Sequence, residues 1–190
     1  SVGRSTMKLM GSAPSDFPEL PEPAKETKMV DVSVPGMLTL LGATMPTVCG
    51  DEARVNLCGM FIESDGKHAT SVSTDGHRLS VMKMELAGPK LERSIIIPRV
   101  GLLHLKHLLG RARAETFQLG IEAGGTGWLF ARQGTLALSI KLNNVVFPPY
   151  QQVVPKEAKS TAVLDRLELM TVLRRCLTLA PEKTGTVKLH

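Results

Sequence analysis

The sequence predicts an α+β fold built from pseudo-repeated units, each a helix followed by an antiparallel β-meander, with the helices on one face of the sheets. Three observations carry this. Apolar and polar residues alternate in short runs at 55–63, 69–74 and 77–84, and again at 116–123, 127–132 and 135–141, the period of half-buried strands. Each triplet is preceded by a helical pattern and, before that, by a short strand, at 29–34 and 94–97. Turn residues punctuate the runs: Asp65-Gly66, Asp75-Gly76, Gly124-Gly125 and Gln133-Gly134.

In chain order, residues 5–10 alternate like a strand that stops at Gly11. Pro14, Pro18, Pro21 and Pro23 follow within ten residues. Each fixes φ and removes a backbone donor, so 13–24 is a linker or an edge crossing rather than a helix or central strand. After the strand at 29–34, Pro35 opens an apolar stretch, 37–48, in a position suited to a helix start. Gly42 and Pro46 make that helix short or weak. Asp51-Glu52-Ala53-Arg54 is a polar turn. Beyond the Gly88-Pro89 break and the strand at 94–97, Pro98-Arg99 starts a helix reaching about Arg113. At 100° per residue Leu102, Leu105, Leu108 and Leu109 share one side, and Arg99, Lys106 and Arg113 another. Residues 143–155, with Phe147-Pro148-Pro149-Tyr150, are irregular. From Leu164 a further amphipathic helix sets Leu167, Leu173, Cys176, Leu177 and Ala180 against Arg166, Arg174 and Arg175, before a strand-like run at 186–189. A helix with one strand cannot bury its own apolar face, so this last piece reads as incomplete.

With 190 residues, 43% of them apolar, the chain can bury a sizeable core. Its apolar runs fall far short of the ~20 residues that span a bilayer, and no basic-then-apolar leader pattern opens it, so the cytoplasm is the expected compartment and no membrane partner is expected. Cys49, Cys58 and Cys176 are odd in number and widely spaced. They argue against a disulfide framework or a zinc site and are expected to be reduced and mostly buried. A net charge of +5 and a pI near 9.3 permit nucleic-acid binding without requiring it.

The Asp75-Gly76 pair is a strong hairpin signal, because Gly accepts the positive φ of a tight turn, and it sets Thr74 opposite His77. Turn chemistry does not call for His77-Arg78-Leu79 immediately afterwards. Taken alone, these residues fit a solvated hairpin as well as a binding surface. Asp75 with His77, and His104 with His107, are pairs of ligand-type groups, yet no third carboxylate, His or Cys lies at a suitable spacing, so no metal or catalytic site is expected. Gly124-Gly125 reads as a hairpin turn rather than a phosphate loop, and no serine nucleophile elbow occurs. Neither an enzyme nor a cofactor is expected.

Taken in order, Asn56-Leu57-Cys58-Gly59-Met60-Phe61-Ile62-Glu63, Thr74-Asp75-Gly76-His77-Arg78-Leu79, Ile97-Pro98-Arg99, Phe147-Pro148-x-Tyr150 and Val153-x-Pro155 resemble the bacterial DNA polymerase III beta subunit, the sliding-clamp family. Gly3-Arg4-Ser5 to Phe17-Pro18 is similar to the end of that family's first domain, and Glu182-Lys183-Thr184 fits its third. The resemblance implies a DNA-clamp fold, with residues 1–27 as the remnant of a first domain and its linker, 28–159 as a complete central domain and 160–190 as the start of a third.

It also implies a function. Family clamps close as homodimeric rings around duplex DNA, act as non-catalytic processivity factors of DNA polymerase III, and bind the polymerase alpha subunit, the clamp loader and other partners through a short apolar peptide. Carried over residue by residue, the peptide cleft includes Leu57, Thr74, Gly76, His77, Arg78, Leu79, Pro148 and Val153. Gln152 falls where some members have Arg, which removes a charge from the rim. The DNA-facing set is Arg99, Lys106 and Arg113, with Arg54 near the adjacent turn; such contacts go to phosphates and carry no base preference. The stretch 37–48 has no basic residue, and Val100 stands where many members have Lys, so a light grip on DNA is implied. The rival expectation is a truncated or diverged clamp that binds peptides without encircling DNA.

Overall fold

The computed structural model describes residue 3 and residues 8–111, 113–122, 127–155, 157 and 160–179. The chain divides into two compact units, Ser1–Pro148 and Pro149–His190, each described by itself below. The first contains β1 (Val30–Ser33), α1 (Val34–Thr44), β2 (Gly59–Ser64), β3 (His68–Thr74), β4 (Leu79–Glu85), β5 (Ile95–Pro98), α2 (Arg99–Gly110), β6 (Thr116–Ile121), β7 (Trp128–Gln133) and β8 (Leu136–Lys141). This is the strand, helix, three-strand repeat that the sequence pattern predicts.

The repeats are not separate bodies. One antiparallel sheet runs β1-β6-β7-β8 and the other β4-β3-β2-β5, so the leading strand of each repeat completes the meander of the other. The cause is local. Four-residue β1 runs straight into α1, whose cap is Ser33: its hydroxyl accepts the Gly36 N–H at 3.2 Å. The chain therefore leaves the sheet before its own meander begins, and Val30–Ser33 pairs with Leu119–Thr116 instead. At the second repeat the same happens: Gly59–Ile62 pairs with Pro98–Ile95. The ladders continue into the helix starts in both places, through Val34 N–H to Glu115 O at 2.8 Å and Arg99 N–H to Cys58 O at 3.1 Å.

Both helices pack on the inner faces of the two sheets. Leu40 and Leu41 of α1, Leu102, Leu105 and Leu109 of α2, Met60, Ile97, Phe117 and Leu129 form one almost fully buried cluster. Each such side chain contributes about 1.5–3 kcal/mol by leaving water. Gly101 lets α2 approach Ile140 of β8, where a Cβ would collide with the isoleucine side chain. The end of α1 is tied to β3 by buried hydroxyls: Thr47 Oγ1 and Ser73 Oγ lie 2.6 Å apart, and Ser73 Oγ donates to Thr44 O. These inward polar positions are satisfied, as burial requires.

Several boundaries differ from those predicted. The strand expected over 55–63 begins at Gly59, because Arg54 O accepts both Leu57 N–H and Cys58 N–H and closes a turn there. The helix over 37–48 becomes a 3-10 turn at Met45–Thr47, where Pro46 removes a donor. α2 stops at Gly110, so Arg113 lies beyond it rather than on its basic line. Residues 8–10 are exposed and form no strand; residues 5–7 lie outside the described residues, as do the Gly124-Gly125 turn, Ala180 and the run at 186–189.

The chain from Pro21 to Met29 lies against a sheet face, while residues 13–20 are exposed. Ser139 Oγ donates to Pro21 O at 2.9 Å, and Gly120 lies against Met29 and Thr27. Ser139 and Gly120 both pair with Phe130, which points away from the core and is nonetheless 2% exposed. In the second unit, α3 (Arg166–Leu179) is capped by Asp165, whose Oδ1 accepts Glu168 N–H at 2.8 Å. Leu173 and Cys176 are half-buried, and Leu167 and Leu177 are exposed.

Candidate functional site

The hairpin that joins β3 to β4 is where sequence and structure part most usefully. Thr74 pairs with Leu79, not with His77, which leaves Asp75-Gly76-His77-Arg78 as a four-residue loop. Side chains close it. Asp75 Oδ1 accepts His77 N–H and Arg78 N–H, each at 3.0 Å, and Asp75 Oδ2 accepts Arg78 Nε at 2.9 Å. Thr74 Oγ1 donates to Arg78 O at 2.8 Å and accepts Gly76 N–H at 3.0 Å. Gly76 takes φ +92°, a conformation that L side chains resist. The His77 amide first, then the Arg78 amide and guanidinium, hold the Asp75 carboxyl well below the usual carboxylate range. Asp75 is thus explained by loop closure.

Strand register assigns the neighbours. Residues that pair across an antiparallel ladder share a face, so Thr74 and Leu79 lie on the same side as Val72, Val81, Phe61 and Ile96. This is the outer side, since Met60, Ile62, Ile95 and Ile97 point into the core. Val72 is 0% and Ile96 4% exposed despite facing outward. The segment after β8 runs beside Ile96 and Phe61: Asn143 N–H donates to Ile96 O at 3.0 Å, and the rings of Phe147 and Phe61 lie 5.0 Å apart, tilted by 31°. Pro148 follows directly. The result is an apolar outer face, Val81 and Leu79 at its edge, bordered by a loop that carries Gly76, His77 and Arg78 in exposed positions.

Of the residues named for the cleft, Thr74, Gly76, His77, Arg78, Leu79 and Pro148 thus belong to this face and its rim. Leu57 sits half-buried in the turn that Arg54 closes. Arg54 Nη1 donates to Asp75 O at 3.3 Å, so the guanidinium engages the hairpin. Gln152 and Val153 belong to the second unit, in and just after a 3-10 turn at Tyr150–Gln152, with Val153 69% exposed. Sequence reasoning missed Phe61, Val72, Val81 and Ile96. The alternation of Leu79 with Val81 was the signal for one of them; the others need the strand order.

On the opposite, helical side, Arg99, His104, Lys106 and His107 of α2 are exposed, with Val100 at 60% and Leu103 at 46%. No Asp or Glu occurs between Ser94 and Ala114, so the positive charge of this helix meets no acid from its own stretch. Arg113 is exposed beyond the helix end. Burial pushes the Cys58 thiol up, and the nearby Cys49 adds to this, so neither favours a thiolate nucleophile at Cys58. Among the described residues no group of three His, Cys, Asp or Glu is placed to hold a metal ion, and no helix is long and apolar enough to cross a membrane.

Comparison with known proteins places this architecture. Residues 32–148 match the family model described as the central domain of the DNA polymerase III beta subunit. The chain is 30% identical over 190 residues to the beta sliding clamps of Proteus mirabilis and of Escherichia coli K12, covering 99% of this chain and 50% of each relative. It spans about half the length of the curated relatives it matches. A crystal structure of the Pseudomonas aeruginosa DNA polymerase sliding clamp with ligand superposes with a TM-score of 0.81 at 27% identity, covering 95% of this chain and 48% of that one. The chain belongs to the DNA polymerase III beta subunit family and has its α+β clamp fold.

Proposed function

We propose that this chain is part of a DNA sliding clamp, a non-catalytic processivity factor of replicative DNA polymerase III that works in the cytoplasm, at the nucleoid. In this reading residues 28–159 are the central domain, 1–27 the end of the first and 160–190 the start of the third. A homodimeric ring encircles duplex DNA without sequence preference and tethers the polymerase alpha subunit, the clamp loader and other partners by their apolar peptides.

The observation that carries the reading is the division of labour across one sheet. The acid-free helix α2, with Arg99 and Lys106 outward, lies on one side of β5-β2-β3-β4, and the apolar face of Leu79, Val81, Phe61, Phe147 and Pro148 on the other. Phosphate contacts need diffuse positive charge; peptide capture needs apolar surface with a few oriented donors. The sheet keeps the two surfaces apart, so a partner docks without displacing DNA. Arg113, with Arg99 and Lys106, completes the phosphate-facing set.

Two measurements test this. Loaded on circular duplex DNA, a ring containing this domain stays bound and is lost when the circle is linearised; equal retention on both refutes encirclement. Titrated with a peptide from the alpha-subunit tail, the Leu79→Ala chain binds severalfold more weakly than the parent, since truncating a contributing interface side chain costs about 1 kcal/mol. Unchanged affinity moves the cleft elsewhere. A second reading, a peptide-binding module that does not encircle DNA, is favoured by α1, which carries no basic residue at all, and by the exposed Val100 at the start of α2. The circle test separates the two.

A further inference from the structure

We propose that Arg54 is a positioning residue of the peptide-binding face: its guanidinium clasps the tip of the β3–β4 hairpin to the turn that carries Leu57 and so fixes the gap between them. The proposal rests on the peptide-binding reading above and gives Arg54 a role other than a phosphate contact.

The geometry converges on this residue from both sides. Its Nη1 donates to Asp75 O at 3.3 Å and lies 3.3 Å from where a Cβ on Gly76 would stand. Its Nε lies 3.7 Å from Asp51 Oδ2. Its backbone is equally committed: the Arg54 N–H donates to Asp51 O at 3.0 Å, and Arg54 O accepts Leu57 N–H at 2.8 Å and Cys58 N–H at 2.9 Å. Leu57 O in turn accepts Cys49 N–H at 3.2 Å, which anchors that turn to the end of the segment after α1. One residue thus joins Leu57 to the hairpin tip.

The tip responds as a unit, because the Asp75 carboxylate holds the amides of His77 and Arg78 and the Arg78 guanidinium together. Displacing the Asp75 backbone therefore displaces every donor on the rim of the face. The absence of a side chain at Gly76 has a reason beyond φ: a Cβ there would press on the guanidinium that grips the neighbouring carbonyl. A planar guanidinium addresses the Asp75 carbonyl and the Asp51 carboxylate from separate nitrogens; a lysine ammonium, a single point donor, cannot serve both in the same way.

The test uses the full 190-residue chain and its Arg54→Ala and Arg54→Lys variants, with a fluorescently labelled alpha-subunit tail peptide as the probe. Affinity should fall roughly three- to tenfold in Arg54→Ala, the range for losing one such hydrogen bond, and less in Arg54→Lys. Amide hydrogen exchange at His77 and Arg78 should quicken in Arg54→Ala while the midpoint of global unfolding stays where it is. Equal affinity of Arg54→Ala and the parent overturns the proposal, as does a loss of global stability that accounts for the weaker binding. If the parent chain itself does not bind the peptide, the cleft reading fails and the exchange measurement decides alone. Faster exchange at His77 and Arg78 then upholds the clasp, and unchanged exchange removes it.

Discussion

The two repeats of the first unit share a layout and differ in surface. Both have a strand that runs into a helix and then a three-strand meander, and the strands that lead them are exchanged between the two sheets. Yet α1 presents Pro35, Thr39, Gly42 and Ala43 without one charge, where α2 presents Arg99, His104, Lys106 and His107. The β7–β8 connection closes with Gly134 and Thr135 between the paired Gln133 and Leu136, whereas the β3–β4 connection is a four-residue loop held by Asp75 and Thr74. What the fold needs is duplicated. The basic helix face and the side-chain-closed hairpin loop each occur once, at the places where the repeats diverge.

The largest expected effect probes what is shared. Phe117 of β6 is 2% exposed and packs beside Val32, its partner from β1. Phe117→Ala should cost about 3–5 kcal/mol, the range for emptying a buried aromatic site. Because each sheet borrows a strand from the other repeat, denaturant unfolding of this unit should remain one transition, shifted to lower midpoint. A second transition, with one sheet surviving alone, would break the picture of an interlocked pair.

Next come the differences. Asp75→Ala removes the acceptor for two amides and a guanidinium and should weaken peptide binding severalfold, while Thr135→Ala in the other hairpin leaves it unchanged. The carboxyl of Asp75 is depressed in the fold, so its stabilising contribution is complete above the ordinary carboxylate value of about 3.9 and is lost only as the pH falls through its lower, folded value. Between pH 5 and 8 the hairpin should therefore show constant amide exchange protection after correction for the intrinsic rate. A change in that window would assign the closure to some other group.

The smallest effect concerns charge on the helices. Lys106→Gln should reduce the salt slope of duplex binding by about one. Thr39→Lys, which places a base on α1 where the second repeat has its basic face, should steepen it by a similar amount. No change in either variant would return both helices to the status of solvated surface.

How much of this was legible in the sequence follows from the range of the interactions. The local patterns were readable: alternation marked β1, β3 and β8, and the 100° spacing of Leu102, Leu105, Leu108 and Leu109 marked the buried side of α2, all four of which are buried. The four-residue hairpin loop was not, because an Asp-Gly pair signals a two-residue turn unless one knows that the Asp75 carboxylate turns back onto the amides of His77 and Arg78. The turn at 55–58 reads as strand for a similar reason: Val55 and Leu57 alternate, but Arg54 O captures the donors of Leu57 and Cys58. Strand exchange left no mark in the sequence at all, since pairing of Val30 with Leu119 joins residues far apart in the chain. Without it Phe61, Ile96 and Phe147 could not be placed on one face with Leu79. Of the residues named from the family resemblance, Thr74, Gly76, His77, Arg78, Leu79 and Pro148 lie on that face and its rim; its apolar floor follows from the register.

We propose that one sheet separates a peptide-binding face from a helical, DNA-facing side. Backbone amide NMR of the chain titrated with the alpha-subunit tail peptide tests it most directly. Shifts are expected at Thr74, His77, Arg78, Leu79 and Val81 with the amides of Arg99–Gly110 left in place; shifts concentrated on α2, or none on the hairpin, would rule the separation out.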